Sequence, residues 1–100
     1  MFLSDKLEEI YSNSGVFDLD TCNAILRAIK ETVVAEMNSF AKVAKERGSI
    51  KSSVLRACVG RTRTVWERFC EKHQKVPETL KEIVEINLQS YIDIIASHEH

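Results

Sequence analysis

The chain has 100 residues, of which 44% are hydrophobic and 29% are charged, and its formal net charge is −1. This composition indicates a globular protein and excludes a disordered or fibrous chain. A net charge so close to zero gives no overall reason to expect nucleic acid or an anionic membrane as a partner. We therefore expect a single domain spanning residues 1–100, with a core of modest size.

The start of the chain, MFLSDKLEEI, carries acidic residues where a signal peptide carries Lys or Arg. No run approaches the ~20 apolar residues that a membrane span needs. The three cysteines, Cys22, Cys58 and Cys70, are odd in number and lack CxxC spacing. We therefore expect reduced core thiols, a cytoplasmic protein and no membrane contact.

The three Gly and the single Pro interrupt an otherwise helical apolar pattern, and strict apolar–polar alternation is absent. A short first helix is predicted to begin after Ser4 as N-cap and to end within residues 12–15. It places Leu3, Leu7 and Ile10 on one side. Since it is too short to be stable alone, it must pack against the rest of the chain.

A long second helix is predicted to be capped by Asp18 or Asp20 and to run to about Arg47, with Gly48 as the C′ residue. Its apolar positions recur at helical spacing over a rod of roughly 43 Å, and we expect it to contact two neighbouring helices. These positions are Cys22, Leu26, Ile29, Val33, Met37, Phe40 and Ala44, widened by Ile25, Val34, Ala41 and Val43.

The third helix is predicted to begin after Ser49 as its cap. Gly60 falls on its polar side, where it costs about 1 kcal/mol relative to Ala and leaves the helix continuous. The predicted buried stripe comprises Leu55, Cys58, Val59, Thr62, Val65, Trp66 and Phe69. We expect Trp66, Phe69 and Phe40 to be core residues.

Val76-Pro77 marks the start of the fourth helix, because Pro restricts its predecessor and suits the first helical position. The predicted apolar face comprises Leu80, Ile83, Val84, Leu88, Tyr91, Ile94 and Ile95. Short connections at 48–49 and 74–77 force consecutive long helices to be antiparallel. The predicted fold is all-α, an antiparallel up-down bundle of three long helices plus a short N-terminal helix.

Charge is segregated along the chain. Between Ile50 and Lys75, seven Lys/Arg stand against two acids, a local charge of +5, so the remainder carries −6. The candidate residues for binding a partner or nucleic acid are Arg56, Arg61, Arg63, Arg68, Lys72 and Lys75. These cations can pair with the neighbouring acidic fourth helix, or one edge of the helix can serve an acidic protein or a phosphate backbone. Both interpretations stay open.

Arg68-Phe-Cys-Glu-Lys-His73 resembles the R-x4–6-H motif of HEPN-type ribonucleases, which are small all-helical proteins with the motif shortly before a final helix. The resemblance covers about thirty residues. It implies that Arg68 and His73 meet their counterparts at a dimer cleft, where His73 acts as general acid or base and Arg68 stabilises the phosphate. The alternative is that His73 caps the last helical turn.

Residues Gly60-Arg-Thr-Arg-Thr-Val-Trp66 resemble the turn and the start of the recognition helix in a helix-turn-helix unit. That resemblance implies contacts of Arg61 and Arg63 with phosphates or guanine edges. A continuous helix through Gly60 is the alternative that we favour.

Patterns typical of enzymes and metal sites are scarce: a Gly-rich phosphate loop, HExxH and paired cysteines are absent. Cys70 and His73 could supply two of the four ligands that a structural zinc site needs. His98-Glu-His100 is interpreted as a terminal tail. We expect no metal and no cofactor.

We therefore predict a non-enzymatic protein that acts by protein–protein contact, as an adaptor, inhibitor, chaperone or complex subunit; its size would suit a phage or mobile-element protein. The long apolar second helix favours an antiparallel homodimer. Tyr11 and Tyr91 are candidate interface anchors.

Overall fold

The computed structural model describes residues 2–47 and 52–97, with the side chains of 43–47 excepted. The helices are α1 (Leu3–Ser14), α2 (Leu19–Arg47), α3 (Ser52–Lys72) and α4 (Glu78–Ser97). Within these ranges there is no strand, and the predicted all-α class is confirmed. The predicted caps at Gly48 and Ser49 lie outside the described residues.

The helices form an up-down-up-down bundle. The ion pair between Arg61 of α3 and Glu36 of α2, together with the Phe17–Phe69 ring contact farther down, shows that α2 and α3 are antiparallel. Helix α1 packs against α2 and α3, whereas α4 packs mainly against α3 and less against α2. The molecule measures 45 × 24 × 20 Å, so its long dimension matches the length expected for α2.

Hydrogen bonds to the first backbone amides show where α1 and α2 begin. The Asp18 Oδ1 atom accepts a hydrogen bond from the Thr21 amide at 2.9 Å, which confirms the first of the two predicted α2 caps. The predicted Ser4 cap is wrong: α1 begins at Leu3 after an extended Phe2, whose carbonyl oxygen accepts a bond from Lys6.

Helix α1 ends at Ser14 and is capped by Gly15, which has the left-handed φ of 72° and donates its N–H to the Tyr11 carbonyl at 2.7 Å. At the start of α4, Pro77 precedes the first helical residue rather than occupying it, and its carbonyl accepts the Lys81 amide at 3.1 Å. The predicted boundary is therefore correct to within one residue.

The core runs the length of the bundle and draws on all four helices. The predicted stripe of α3 is confirmed, because Trp66 and four neighbours are buried while Leu55 and Val65 pack against them. The buried apolar residues are Leu3, Leu7, Ile25, Ala28, Ile29, Val33, Cys58, Val59, Trp66, Phe69, Val76, Leu80, Val84, Leu88 and Ile95.

Five residues predicted to be apolar contacts are less buried than expected. In α4, Ile83 and Ile94 are exposed, and in α2, Val34 and Ala41 are exposed and Phe40 is only half-buried. The reason is the arrangement of the helices: α4 lies mainly on α3, and in the described part of the chain α1 does not reach α4. Among the described helices, none therefore packs over the side where α2 and α4 meet.

Candidate functional site

His73 lies directly after the last residue of α3, and its amide donates to the Phe69 carbonyl at 2.9 Å. Its ring packs between two aromatic rings, with centroid distances of 4.6 Å to Tyr11 and 4.7 Å to Phe69. The Nε2 atom is 3.0 and 2.9 Å from the two carboxylate oxygens of Glu8. The imidazole therefore joins the end of α3 to the middle of α1.

Glu8 also accepts from Lys72, whose Nζ lies 3.3 Å from Oε1. Partial burial disfavours the charged carboxylate, but the hydrogen bonds with His73 and Lys72 outweigh that effect and hold the pKa of Glu8 below its ordinary value. No motif or spacing in the sequence singles out Glu8. Its only signal there was an acidic residue on the polar side of a short amphipathic helix.

Arg68, the other residue of the ribonuclease-like motif, is exposed and lines a shallow groove of about 350 Å³ between α1 and α3. Asp5 and Glu8 line the same groove, so carboxylates share the space beside the guanidinium. Glu8 thus lines the groove together with Arg68 and is hydrogen-bonded to His73. A catalytic role for Arg68 and His73 stays a prediction, and an RNA phosphate in this groove would meet two acidic side chains.

The basic residues of α3 pair with three different helices. Arg61 binds Glu36 of α2 at 3.4 Å, Arg63 binds Glu85 of α4 at 2.8 Å, and Lys72 binds Glu8 of α1. Arg56, Arg68 and Lys75 are exposed, and for the last two no ion pair occurs within the described residues. The acidic partners therefore come from α1 and α2 as well as from the predicted fourth helix.

Helix α3 continues through Gly60 without a turn, so the helix-turn-helix interpretation is wrong. The buried stripe passes through this point with Val59 and Thr62 on the core side. A Cβ atom placed on Gly60 would meet no atom within 4 Å, so no close approach requires a glycine there. Arg61 and Arg63 lie on opposite edges of one continuous helix, each next to a carboxylate.

The three cysteines are unpaired, as expected. Burial raises the pKa of each thiol and brings that of Cys70 to about 11, which keeps the thiols protonated at neutral pH. Among the described residues, no three His, Cys, Asp or Glu side chains are grouped to hold a metal ion. The His98–His100 tail lies outside those residues.

The exposed isoleucines of α4, Ile83, Ile86 and Ile94, lie on one stripe together with the small polar Ser90, and we call these four residues the outer α4 face. Spacings of 3, 4 and 4 residues place them on a single side of the helix. The isoleucines are 44%, 67% and 50% exposed. At 100° per residue this stripe is rotated by about 120° from the buried stripe of Leu80, Val84 and Leu88.

The outer α4 face adjoins a groove of about 510 Å³ between α2 and α4. Ser90 lines this groove and also a second, shallower depression on α4 that Ile86 and Ile94 line as well. The half-buried Tyr91 is part of the groove wall. The wall comprises Leu26, Arg27, Ile29, Lys30, Val84, Asn87, Ser90 and Tyr91.

Opposite charges border this surface. The α2 side carries the exposed Arg27 and Lys30, and the far side of α4 carries the exposed Glu82 and Asp93. In the ranges that the structure covers, none of these four residues makes an ion pair, although Asp93 accepts a hydrogen bond from Gln89 at 3.0 Å. The surface is therefore apolar in its centre, cationic along one border and anionic along the other.

Comparison of the chain with protein-family models, with curated proteins and with solved structures finds no match. Within residues 2–47 and 52–97, no helix has both the length and the apolar character needed to cross a bilayer.

Proposed function

We propose that this chain is a non-enzymatic helical protein that acts by binding a protein through the outer α4 face and the adjoining α2/α4 groove. The observation that carries the proposal is the set of three exposed isoleucines in line on α4 beside an open groove. Isolated exposed apolar residues are ordinary, but an aligned set with a charged border is typical of an interaction site.

The ion pairs of α3 support this proposal over nucleic-acid binding. Arg61, Arg63 and Lys72 each lie within 3.4 Å of a carboxylate oxygen of another helix, and a phosphate would have to displace those carboxylates. Replacing a carboxylate by a phosphate would add little binding free energy, because the carboxylate already partly neutralises the cation. Three of the seven cations of residues 50–75 thus lie beside a carboxylate of another helix.

A role as adaptor, inhibitor, chaperone or complex subunit fits a small bundle with one such face. The cytoplasm is the proposed compartment, since a reducing environment suits three unpaired cysteines.

A glutamate at the centre of the interface would have to be buried without a partner, which is costly. Ile86 is therefore the position at which to test the proposal.

The experiment compares tagged wild-type chain with Ile86→Glu in affinity capture from extracts of the native host. We expect Ile86→Glu to lose any specifically captured protein and to keep the wild-type helical circular dichroism. Val16→Glu is the matched control, because Val16 is also exposed but belongs to the α1–α2 connection and lines neither the groove nor the depression beside the outer α4 face. Equal capture by wild type and Ile86→Glu would contradict the proposal.

A further inference from the structure

We infer that the outer α4 face binds a second copy of this chain, in a dimer whose twofold axis runs parallel to α4. The inference rests on the proposed function and names its partner. It follows from two properties of the surface, the apolar stripe and the opposite charges of its two borders.

The stripe suits a helix–helix contact. Ile83 and Ile94 are eleven residues apart, a spacing of 3.67 residues per turn that a nearly straight helix maintains. Ser90, the small residue between Ile86 and Ile94, allows the two α4 backbones to approach closely at the centre of the contact. Isoleucines of one copy then fill the depressions beside Ser90 of the other.

The charged borders decide the orientation. In an isologous dimer the axis lies in the interface, so an axis parallel to α4 exchanges left and right and leaves the helix direction unchanged. The cationic border of one copy, Arg27 and Lys30, then lies over the anionic border of the other, Glu82 and Asp93. An axis perpendicular to α4 would place cations over cations and acids over acids.

The positions of Lys30 and Asp93 along the helix axis are consistent with a parallel dimer. Lys30 and Ser90 line the same groove, and Asp93 lies three residues beyond Ser90, about 4.5 Å along the axis. A lysine side chain spans such an offset. The result is a parallel dimer through α4, which differs from the antiparallel dimer through the second helix that the sequence predicted.

Neighbouring charges do not compete for these contacts. Glu31, close to Arg27 on α2, pairs with Lys6 at 3.7 Å, and Glu85, close to Glu82 on α4, pairs with Arg63. The formal net charge of −1 per chain adds little repulsion between copies. Each border is thus available to the opposite border of a second copy.

The first experiment measures mass by light scattering across concentrations up to about 100 μM, which detects a dimer with a micromolar Kd. We expect wild type to approach twice the chain mass of 11.4 kDa. Ile86→Glu should raise the dimer Kd by roughly a hundredfold, because it buries an unpaired charge. Val16→Glu should leave the Kd unchanged. A wild type that stays monomeric throughout would overturn the inference.

The second experiment tests orientation with two charge variants, Lys30→Glu and Asp93→Lys. In the parallel dimer each variant alone faces like charges across the interface, and its Kd should rise about tenfold. Mixing the two restores opposite charges at both contacts, so a heterodimer of nearly wild-type Kd should form. Failure of the mixture to associate better than either variant alone would contradict the parallel orientation.

Failure of this inference is distinguishable from failure of the proposed function. If wild type is monomeric but Ile86→Glu loses a captured protein of a different sequence, the face binds a different protein and the second copy is excluded. If wild type is a dimer that neither Ile86→Glu nor Lys30→Glu weakens, the dimer contact lies elsewhere and this inference fails, whereas the proposed function is decided by the capture experiment.

Discussion

Glu8 shows how a contact between distant residues determines the environment of a side chain. The sequence predicted that His73 would lie at the last turn of the third helix, and the residue does follow the last residue of α3. Its contact with Glu8 joins residues 65 positions apart, and no local pattern indicates a pair at that separation. The predicted position was therefore correct, whereas the bonding partner required the tertiary structure.

We predict that the Glu8 carboxylate stabilises the fold in a pH-dependent way. Its pKa is lower in the folded chain than the ordinary value of 4.5, so the stabilisation is complete above that value and is lost as pH falls through the folded-state pKa. Glu8→Gln should lower the Tm at pH 7 by about 2–4 °C, as expected for a partly exposed pair.

The difference in Tm between wild type and Glu8→Gln should shrink toward zero near pH 2, where both side chains are uncharged. Thermal unfolding followed by circular dichroism measures it at both pH values. Glu9→Gln is the control, because Glu9 is exposed and its side chain makes no ion pair within the described residues. A Tm difference that stays constant with pH would show that the Glu8 charge has no such role.

At the scale of the helix, apolar periodicity predicted which elements form but not which stripes are covered. Helix α3 is buried along one stripe, and periodicity identified that stripe because neighbouring helices cover it. Helix α4 carries two apolar stripes, the buried stripe and the outer α4 face. Ile83 and Ile94 were predicted to belong to one apolar face with the buried residues, but they lie on the outer α4 face. A periodic pattern shows that a helix has an apolar stripe, whereas burial of that stripe depends on where the other helices lie.

Two glycines in different backbone conformations yield opposite predictions. Gly60 is helical and has open space at the Cβ position, so Gly60→Ala should stabilise the chain by about 1 kcal/mol. Gly15 has a φ of 72°, so Gly15→Ala should destabilise it by about 1 kcal/mol. Urea unfolding of both variants measures the two changes. A loss of stability in Gly60→Ala would indicate that α3 bends at this residue.

At the scale of the whole molecule, the balance of charge could not be deduced from the sequence alone. The basic segment was identified correctly, and the adjacency of α3 and α4 supplied one acidic partner, Glu85. Glu36 and Glu8 come from helices whose lateral positions are set by core packing. The sequence therefore predicted that these cations pair with the fourth helix or serve a partner, whereas in the fold Arg61, Arg63 and Lys72 each pair with a different helix.

This distribution predicts weak binding to polyanions. We expect retention on heparin at about 50 mM salt to be slight and to vanish by about 200 mM, because few cations are available to release counterions. Arg68→Ala combined with Lys75→Ala should lower the residual retention, whereas Lys42→Ala, an exposed position on α2, should not. Elution only above about 0.5 M salt would instead favour the nucleic-acid interpretation.

The single tryptophan, Trp66, is 4% exposed and packs against Phe69 in the core, with a centroid distance of 5.8 Å between the two rings. The chain thus contains an intrinsic fluorophore whose emission should be blue-shifted while the bundle is intact and should move to longer wavelength when the helices separate. Because Trp66 belongs to α3 and the outer α4 face points away from the core, emission should report unfolding and remain insensitive to docking. Stability and association can therefore be followed in one cuvette by two independent signals, emission wavelength and light scattering.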